Sequence, residues 1–235
     1  MRDAAPAPAL QFLGVEKHYG ALRPLRIHDL HINAGSCAAL VGFDQPSAEV
    51  FVNLATGALL PDKGDVVCLG QSTAAIPDSD AWLAFVDRIG IVSRRVVLLD
   101  ALTVAQNLAM PFDLEIDPVP SSVLARVTTL ACEVDIGAPV LEKVVADADA
   151  ATRSKVVLAR ALALDPELLL LEHPTADLPQ AGATAYAALL QTVFQRRKLT
   201  TVILTLDEKF GKAVGGRLLK WQPATGEMKE RRGWF

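Results

Sequence analysis

Residues 38–57, AALVGFDQPSAEVFVNLATG, run from an apolar strand through a turn into an apolar helix. Many nucleotide-binding domains keep a glycine-rich phosphate cradle at such a turn. Here the turn holds Asp44, Gln45, Pro46, Ala48 and Glu49. Proline removes an amide donor, and the carboxylates oppose an anion. Two unit charges of like sign about 4 Å apart repel by on the order of 4 kcal/mol at an effective dielectric near 20. The same residues also make an ordinary strand-to-helix turn, because acids at a helix N-terminus complement the macrodipole. The other groups with anion chemistry are Arg94, Arg95 and Arg153. They could form a phosphate site with arginine in place of lysine; solvated surface charge is the alternative reading.

These groups need elements to hold them. LQFLGVEKHYG and LRIHDLHI alternate as antiparallel strands do. CAALVG (37–42) is a continuous apolar run, which a buried strand requires, and the following helix sets Val50, Leu54 and Ala55 on one face. GDVVCLG (64–70) and DRIGIVS (87–93) read as further strands. Residues 103–133 and 137–146 read as helices, interrupted by DLEIDPVPSS, whose prolines force a loop. ATRSKVVLARALAL (151–164) is an amphipathic helix stopped by Asp165-Pro166. ELLLLEH (167–173) is a buried strand, 180–197 a long helix, and LTTVILT (199–205) and GGRLLKWQ (215–222) are strands. Alternating helix and strand in the second half implies a parallel α/β sheet. The mostly helical stretch 95–150 reads as a subdomain inserted into it.

Bulk properties exclude several classes. A chain of 235 residues, half of them hydrophobic, suits one large packed domain rather than a disordered segment. A net charge of −4 and a pI near 5.6 argue against a nucleic-acid surface. Cys37, Cys68 and Cys132 are odd in number, far apart and in apolar stretches, so they read as buried reduced thiols, with no metal site. MRDAAPAPAL has no apolar signal core, and no apolar run approaches the roughly 20 residues of a membrane-spanning helix. Any membrane connection is therefore expected to run through a partner. Residues 1–8 read as a loose tail, 9–222 as the domain and 223–235 as a C-terminal strand or tail, whose Trp234 and Phe235 could dock on a partner.

LARALALDPELLLLEHPTADLP (158–179) resembles the ATP-binding cassette (ABC) ATPases, the motor subunits of ABC transporters. LVG before the first helix, NLATGALLPDKGDV, LTVAQNLAMP and TTVILTLD resemble other family segments in the same order, so the likeness covers about 9–222. It implies an ABC-type P-loop NTPase fold: a mostly parallel core sheet, an N-terminal antiparallel β subdomain and an inserted α-helical subdomain. The family's phosphate loop reads G-x-x-G-x-G-K-S/T-T. Only its first glycine, Gly42, remains. The next two are Gln45 and Ser47, the lysine position is Ala48, the Mg²⁺-hydroxyl position is Glu49, and Asp44 adds a carboxylate. The Walker B Asp-Glu pair is Glu172-His173; Glu172 could still reach a cation and His173 could act as a base, or simply close the strand. The signature L-S-G-G-Q aligns with Ala148-Asp149-Ala150-Ala151-Thr152. The Q-loop glutamine aligns with Arg94, the switch histidine with Leu206 and the D-loop aspartate with Pro179. The aromatic platform, Tyr19, persists.

The family dimerises head to tail, with each ATP between one chain's phosphate loop and the other's signature. With both altered here, the resemblance implies a pseudo-ATPase with no bound cofactor, a structural or regulatory cytoplasmic subunit. It would lie at the inner face of a membrane, held by a transmembrane subunit docked in the groove near 94–112 and paired with itself or another cassette. NLAMPF resembles cassettes of lipid and lipoprotein systems. The alternatives are a rewired ATPase, binding ATP and Mg²⁺ through Tyr19, Glu172, His173 and the arginines, and a soluble regulatory module without a transporter.

Overall fold

The computed structural model describes residues 8–230. Residues 1–7 and 231–235, which hold most of the expected N-terminal tail and both Trp234 and Phe235, lie outside the described residues. Pro8, expected in the tail, already belongs to the first strand. β1 (Pro8–Lys17) and β2 (Leu25–Asn33) pair antiparallel and bury Leu10, Phe12, Leu25, Ile27 and Ile32 in one core cluster. β3 (Cys37–Val41) leads into α1 (Gln45–Ala55). β4 (Lys63–Cys68) and β5 (Gln71–Ser72) complete a four-stranded antiparallel sheet of order β2-β1-β4-β5. α2 (Ser79–Val86) and β6 (Ile89–Val92) follow. The sequence patterning had given α2 no helix: it is short, buries only Phe85, and starts where the Asp78 carboxylate accepts from the Ala81 N–H at 2.8 Å.

The inserted subdomain is more broken than periodicity predicts. α3 (Val104–Ala109) opens on a capping box between Thr103 and Gln106 and ends at Met110, before the predicted loop. α4 (Ser121–Glu133) begins only after Pro120. The helix expected over 137–146 reduces to α5 (Ala138–Leu141) and a 3-10 turn at Val145–Asp147. The reason is a competing partner: Val144 bridges Thr103, the Val104 N–H donates to Lys143 O at 2.9 Å, and the Val145 N–H donates to Leu102 O at 2.9 Å. Cys132 also departs from expectation. α4 turns Val123, Val127 and Leu130 inward, which leaves Cys132 exposed, while Cys68 is buried and Cys37 half-buried; all three are free thiols.

α6 (Ala150–Leu162), β7 (Leu168–Glu172), α7 (Gln180–Arg197), β8 (Thr200–Thr205), α8 (Glu208–Val214), β9 (Arg217–Gln222) and β10 (Glu227–Glu230) complete the chain. The core sheet has the order β10-β9-β3-β8-β7-β6, parallel except for β10. Both of its faces are covered, which is why its strands read as unbroken apolar runs. Leu169, Leu171 and Ile203 face the helical subdomain and α7, whereas Leu168, Leu170, Val202 and Leu204 face α1 and the antiparallel sheet. The expected α/β fold, with its parallel core, β subdomain and helical insert, is the fold found.

One close approach fixes the insert's longest support. At Gly90 in β6 an added Cβ would stand 2.3 Å from Ala161 O of α6 and 2.8 Å from Leu169 Cδ1. Gly90→Ala is expected to lower stability by about 1–3 kcal/mol, the usual cost of overpacking, in urea unfolding; an unchanged midpoint would contradict this packing of α6 on β6.

Candidate functional site

The loop after β3 shows what its residue types do. The Gly42 N–H donates to Thr205 O at 3.0 Å, and Gly42, at φ 108°, is the sole residue of 42–49 with positive φ. A Cβ there would approach Trp221 O at 3.1 Å. Phe43 is fully buried, stacked on Trp221 at 4.4 Å and edge-on to Phe51 at 5.5 Å. It nails the turn to the core. Asp44 is still extended, and the chain is helical from Gln45. The Asp44 carboxylate caps α1, accepting from the Ser47 N–H at 3.0 Å and from the Ser47 hydroxyl. The Ala48 N–H donates to Asp44 O at 2.9 Å, and Pro46 has no N–H to offer. Ser47 and Ala48 are buried. The Ser47 amide, which could face an external anion, thus faces the chain's own carboxylate, and the Ala48 and Gly42 amides face backbone carbonyls. Tyr19 lies beside this turn, half-buried. Burial, and then the Asp44 carboxylate, push its phenol above its ordinary pKa.

On the far side of β8, Glu172 ends β7 with a side chain that has no solvent exposure. Ser93 Oγ donates to Glu172 Oε2 at 2.8 Å, and the Arg95 guanidinium donates to Oε1. Arg95 also contacts α1, reaching Asn53 Oδ1 at 3.3 Å and Glu49 Oε1 at 3.5 Å, and its own N–H donates to Ser93 Oγ at 3.1 Å. One guanidinium therefore spans β7, α1 and the loop after β6. Only the Glu172 end of the pair is dry, the Arg95 side chain being 39% exposed, so the carboxylate is the member that removal of its partner would leave unpaired in a buried site.

The three arginines do not converge on one point. Arg94 pairs with Asp177 at 3.2 Å, and Arg153 pairs with Asp100 at 2.8 Å while donating to Val145 O at 3.0 Å. These two line a cavity of about 500 Å³ with His173, Asp100 and Asp177, so each guanidinium there meets an aspartate. His173 has φ 43°; its N–H donates to Leu204 O at 2.9 Å, and its buried Nε2 has no hydrogen-bond partner among the described residues. At the start of α6, Asp149 is exposed and caps the helix, accepting from the Thr152 N–H at 2.7 Å; that bond holds its carboxyl below the usual aspartate range. Ala150 and Ala151 form the first turn. Leu206 is exposed after β8, and Pro179 precedes α7.

No family model matches the chain. A phosphonates import ATP-binding protein, PhnC, of Anaeromyxobacter dehalogenans is 34% identical over 83% of this chain and 40% of its own length. The chain spans about half the length of several curated import proteins it matches. The lipoprotein-releasing system ATP-binding protein LolD of the same organism is 30% identical, with 89% of each chain covered. Among solved structures, the dimeric ATP-binding cassette MJ0796 bound to ADP and Pi superposes with a TM-score of 0.76 at 20% identity, covering 96% of this chain and 100% of that one. The chain belongs to the ATP-binding proteins of ABC transporters.

The sequence reading missed Phe43 and the Ser93–Arg95–Glu172–Glu49 network. One signal was available: Glu49 and Asn53 lie four residues apart on α1, hence on one face, as acceptors awaiting a donor. The Asp149 cap gives a pH test. Its folded pKa is lowered, so its contribution is present above the ordinary aspartate value and lost as pH falls through the lowered one. Asp149→Ala is expected to cost about 1 kcal/mol near neutral pH, with the difference from the parent closing as pH falls below about 4. Melts at both pH values check this; a difference unchanged in acid would contradict it.

Proposed function

We propose that this chain is a catalytically degenerate cassette, a cytoplasmic subunit that supports or regulates an ABC-type membrane transport complex without itself hydrolysing ATP. The observation that carries the reading is the Asp44 carboxylate seated on the first turn of α1, with the lysine position filled by fully buried Ala48. ATP and Mg²⁺, the group the family implies, do not fit these residues. Phosphate would meet Asp44, with the guanidinium that contacts α1, that of Arg95, already committed to Glu172 and Glu49. A partner cassette's ATP would meet Asp149 at the signature, where the family uses a serine.

Retained surfaces support a role by shape. Around edge strand β6 an open cleft of about 340 Å³ is lined by Val96, Met110, Pro111, Arg160 and Leu164, in the region where the family receives a transmembrane subunit. Val97 and Leu164 are exposed beside it. No helix among the described residues is long and apolar enough to cross a membrane, so attachment through such a partner is the route we propose. The dimeric MJ0796 cassette supports pairing with itself or another cassette. The near full-length match to LolD, named for lipoprotein release, and the NLAMPF segment support a lipid-linked cargo.

Calorimetric titration of the purified chain with millimolar Mg²⁺-ATP is expected to show no saturable heat, and phosphate release is expected to equal that of Glu172→Ala. Saturable binding, or turnover abolished by Glu172→Ala, would overturn the reading.

A further inference from the structure

We infer that the Arg95 guanidinium is a tethered cation standing in for the nucleotide-bound metal ion, and that it fixes the loop after β6 with no ligand required. The inference rests on the degenerate-cassette reading and says how such a site is held together. Its basis is the pairing of positions. The two places where the family resemblance puts Mg²⁺ contacts, the hydroxyl on α1 and the carboxylate ending β7, are both glutamates here, Glu49 and Glu172. The structure sets a single guanidinium between them.

The chemistry of the cluster agrees. Glu172 is the dry member, and its two oxygens are taken by Ser93 and Arg95. The remaining reach of Arg95 goes to Asn53 and Glu49 on α1. Two carboxylates against one guanidinium leave an excess of negative charge, so the cluster repels phosphate and tolerates the arginine. A planar guanidinium spreads five N–H donors over a wide fork and so reaches acceptors on separate elements, whereas a lysine ammonium gathers three donors at one point. The mechanical consequence follows from where the contacts lie. Ser93 and Arg95 belong to the segment leaving β6, and the Val96 N–H donates back to Ser93 O at 3.1 Å. Two residues on, Val97 O accepts from Arg160 of α6 at 2.8 Å. The loop is thereby fastened to β7 and α1 at one end and to α6 at the other. It lies beside the cleft lined by Val96, Met110 and Pro111. In an ATP-driven cassette the phosphate end of the nucleotide comes and goes; here the cation is covalently part of the chain, so the arrangement is permanent.

Two readouts on the purified full chain test this. In Arg95→Met, which keeps the length and loses the charge, amide exchange over 92–98 is expected to rise about tenfold or more relative to the parent, while Arg95→Lys shows a smaller rise. Should Arg95→Met unfold because Glu172 is left unpaired, Arg95→Met/Glu172→Gln removes that charge and is expected to show the same local rise. In Arg95→Ala the bared oxygens of Glu49, Glu172, Ser93 and Asn53 suit a hard divalent ion. Mn²⁺ alone, followed by its electron paramagnetic resonance signal, is expected to bind Arg95→Ala, and to bind neither the parent nor Arg95→Ala/Glu172→Gln. Unchanged exchange in both charge-removing variants, or equal Mn²⁺ binding by parent and Arg95→Ala, would overturn the tether. ATP binding by the parent would instead overturn the degenerate reading, so the two failures are distinguishable.

Discussion

A carboxylate with no access to water ends the β7 strand, and much of the surrounding arrangement answers to it. An isolated charge at the Glu172 position would cost many kcal/mol and would neutralise or unfold the strand end. Ser93 and Arg95 prevent this, and both come from the neighbouring strand's exit. Val92 pairs with Leu171 in register, so the Ser93–Glu172 hydrogen bond continues the β6–β7 ladder by side chains just where the backbone ladder stops. Arg95 then extends the tie to α1. Three elements that share no sequence neighbourhood are held by one planar group. The burial is supplied by the apolar runs of β7 and β8, which leave no solvent beneath the site.

The helix N-termini tell a matching story. α1 and α6 are the two helices whose starts would bracket a triphosphate in a pair of cassettes. Each begins with an aspartate that bonds its own first-turn amide, Asp44 to Ser47 and Asp149 to Thr152. An internal anion satisfies donors that would otherwise be open to an external one, and it complements the helix dipole as well. Both helices thus start as capped turns, and the buried stack of Phe43 on Trp221 keeps the α1 turn from loosening. On the degenerate-cassette reading proposed above, the aspartates that cap these turns are also the groups that oppose a phosphate.

Much of the fold could be read from the residues. The runs CAALV and LLLLE, the Asp165-Pro166 stop and the alternation of β1 and β2 are local signals, and they placed the parallel core and the antiparallel subdomain. The acids at 44 and 49 and Ala48 were equally plain. Other features depended on contacts between distant parts of the chain. Val144 bridging Thr103 cannot be seen in the periodicity of 137–146, and so a helix was expected there. Cys132 sits in an apolar stretch yet on the wrong face of α4. Arg95 reads from sequence as a phosphate ligand or a solvated charge, because its partners Glu49 and Glu172 are 46 and 77 residues away. Sequence spacing carries helix faces and strand alternation; it carries no information on which strand end meets which loop.

The most direct measurement is a crystal structure of the protein grown with excess Mg²⁺ and a non-hydrolysable ATP analogue. The account predicts Arg95 still on Glu172 and Glu49, Asp44 still capping α1, and no phosphate density between the turn and β7. Phosphates seated on the 42–49 turn, with the Arg95 side chain swung away from Glu172, would contradict it.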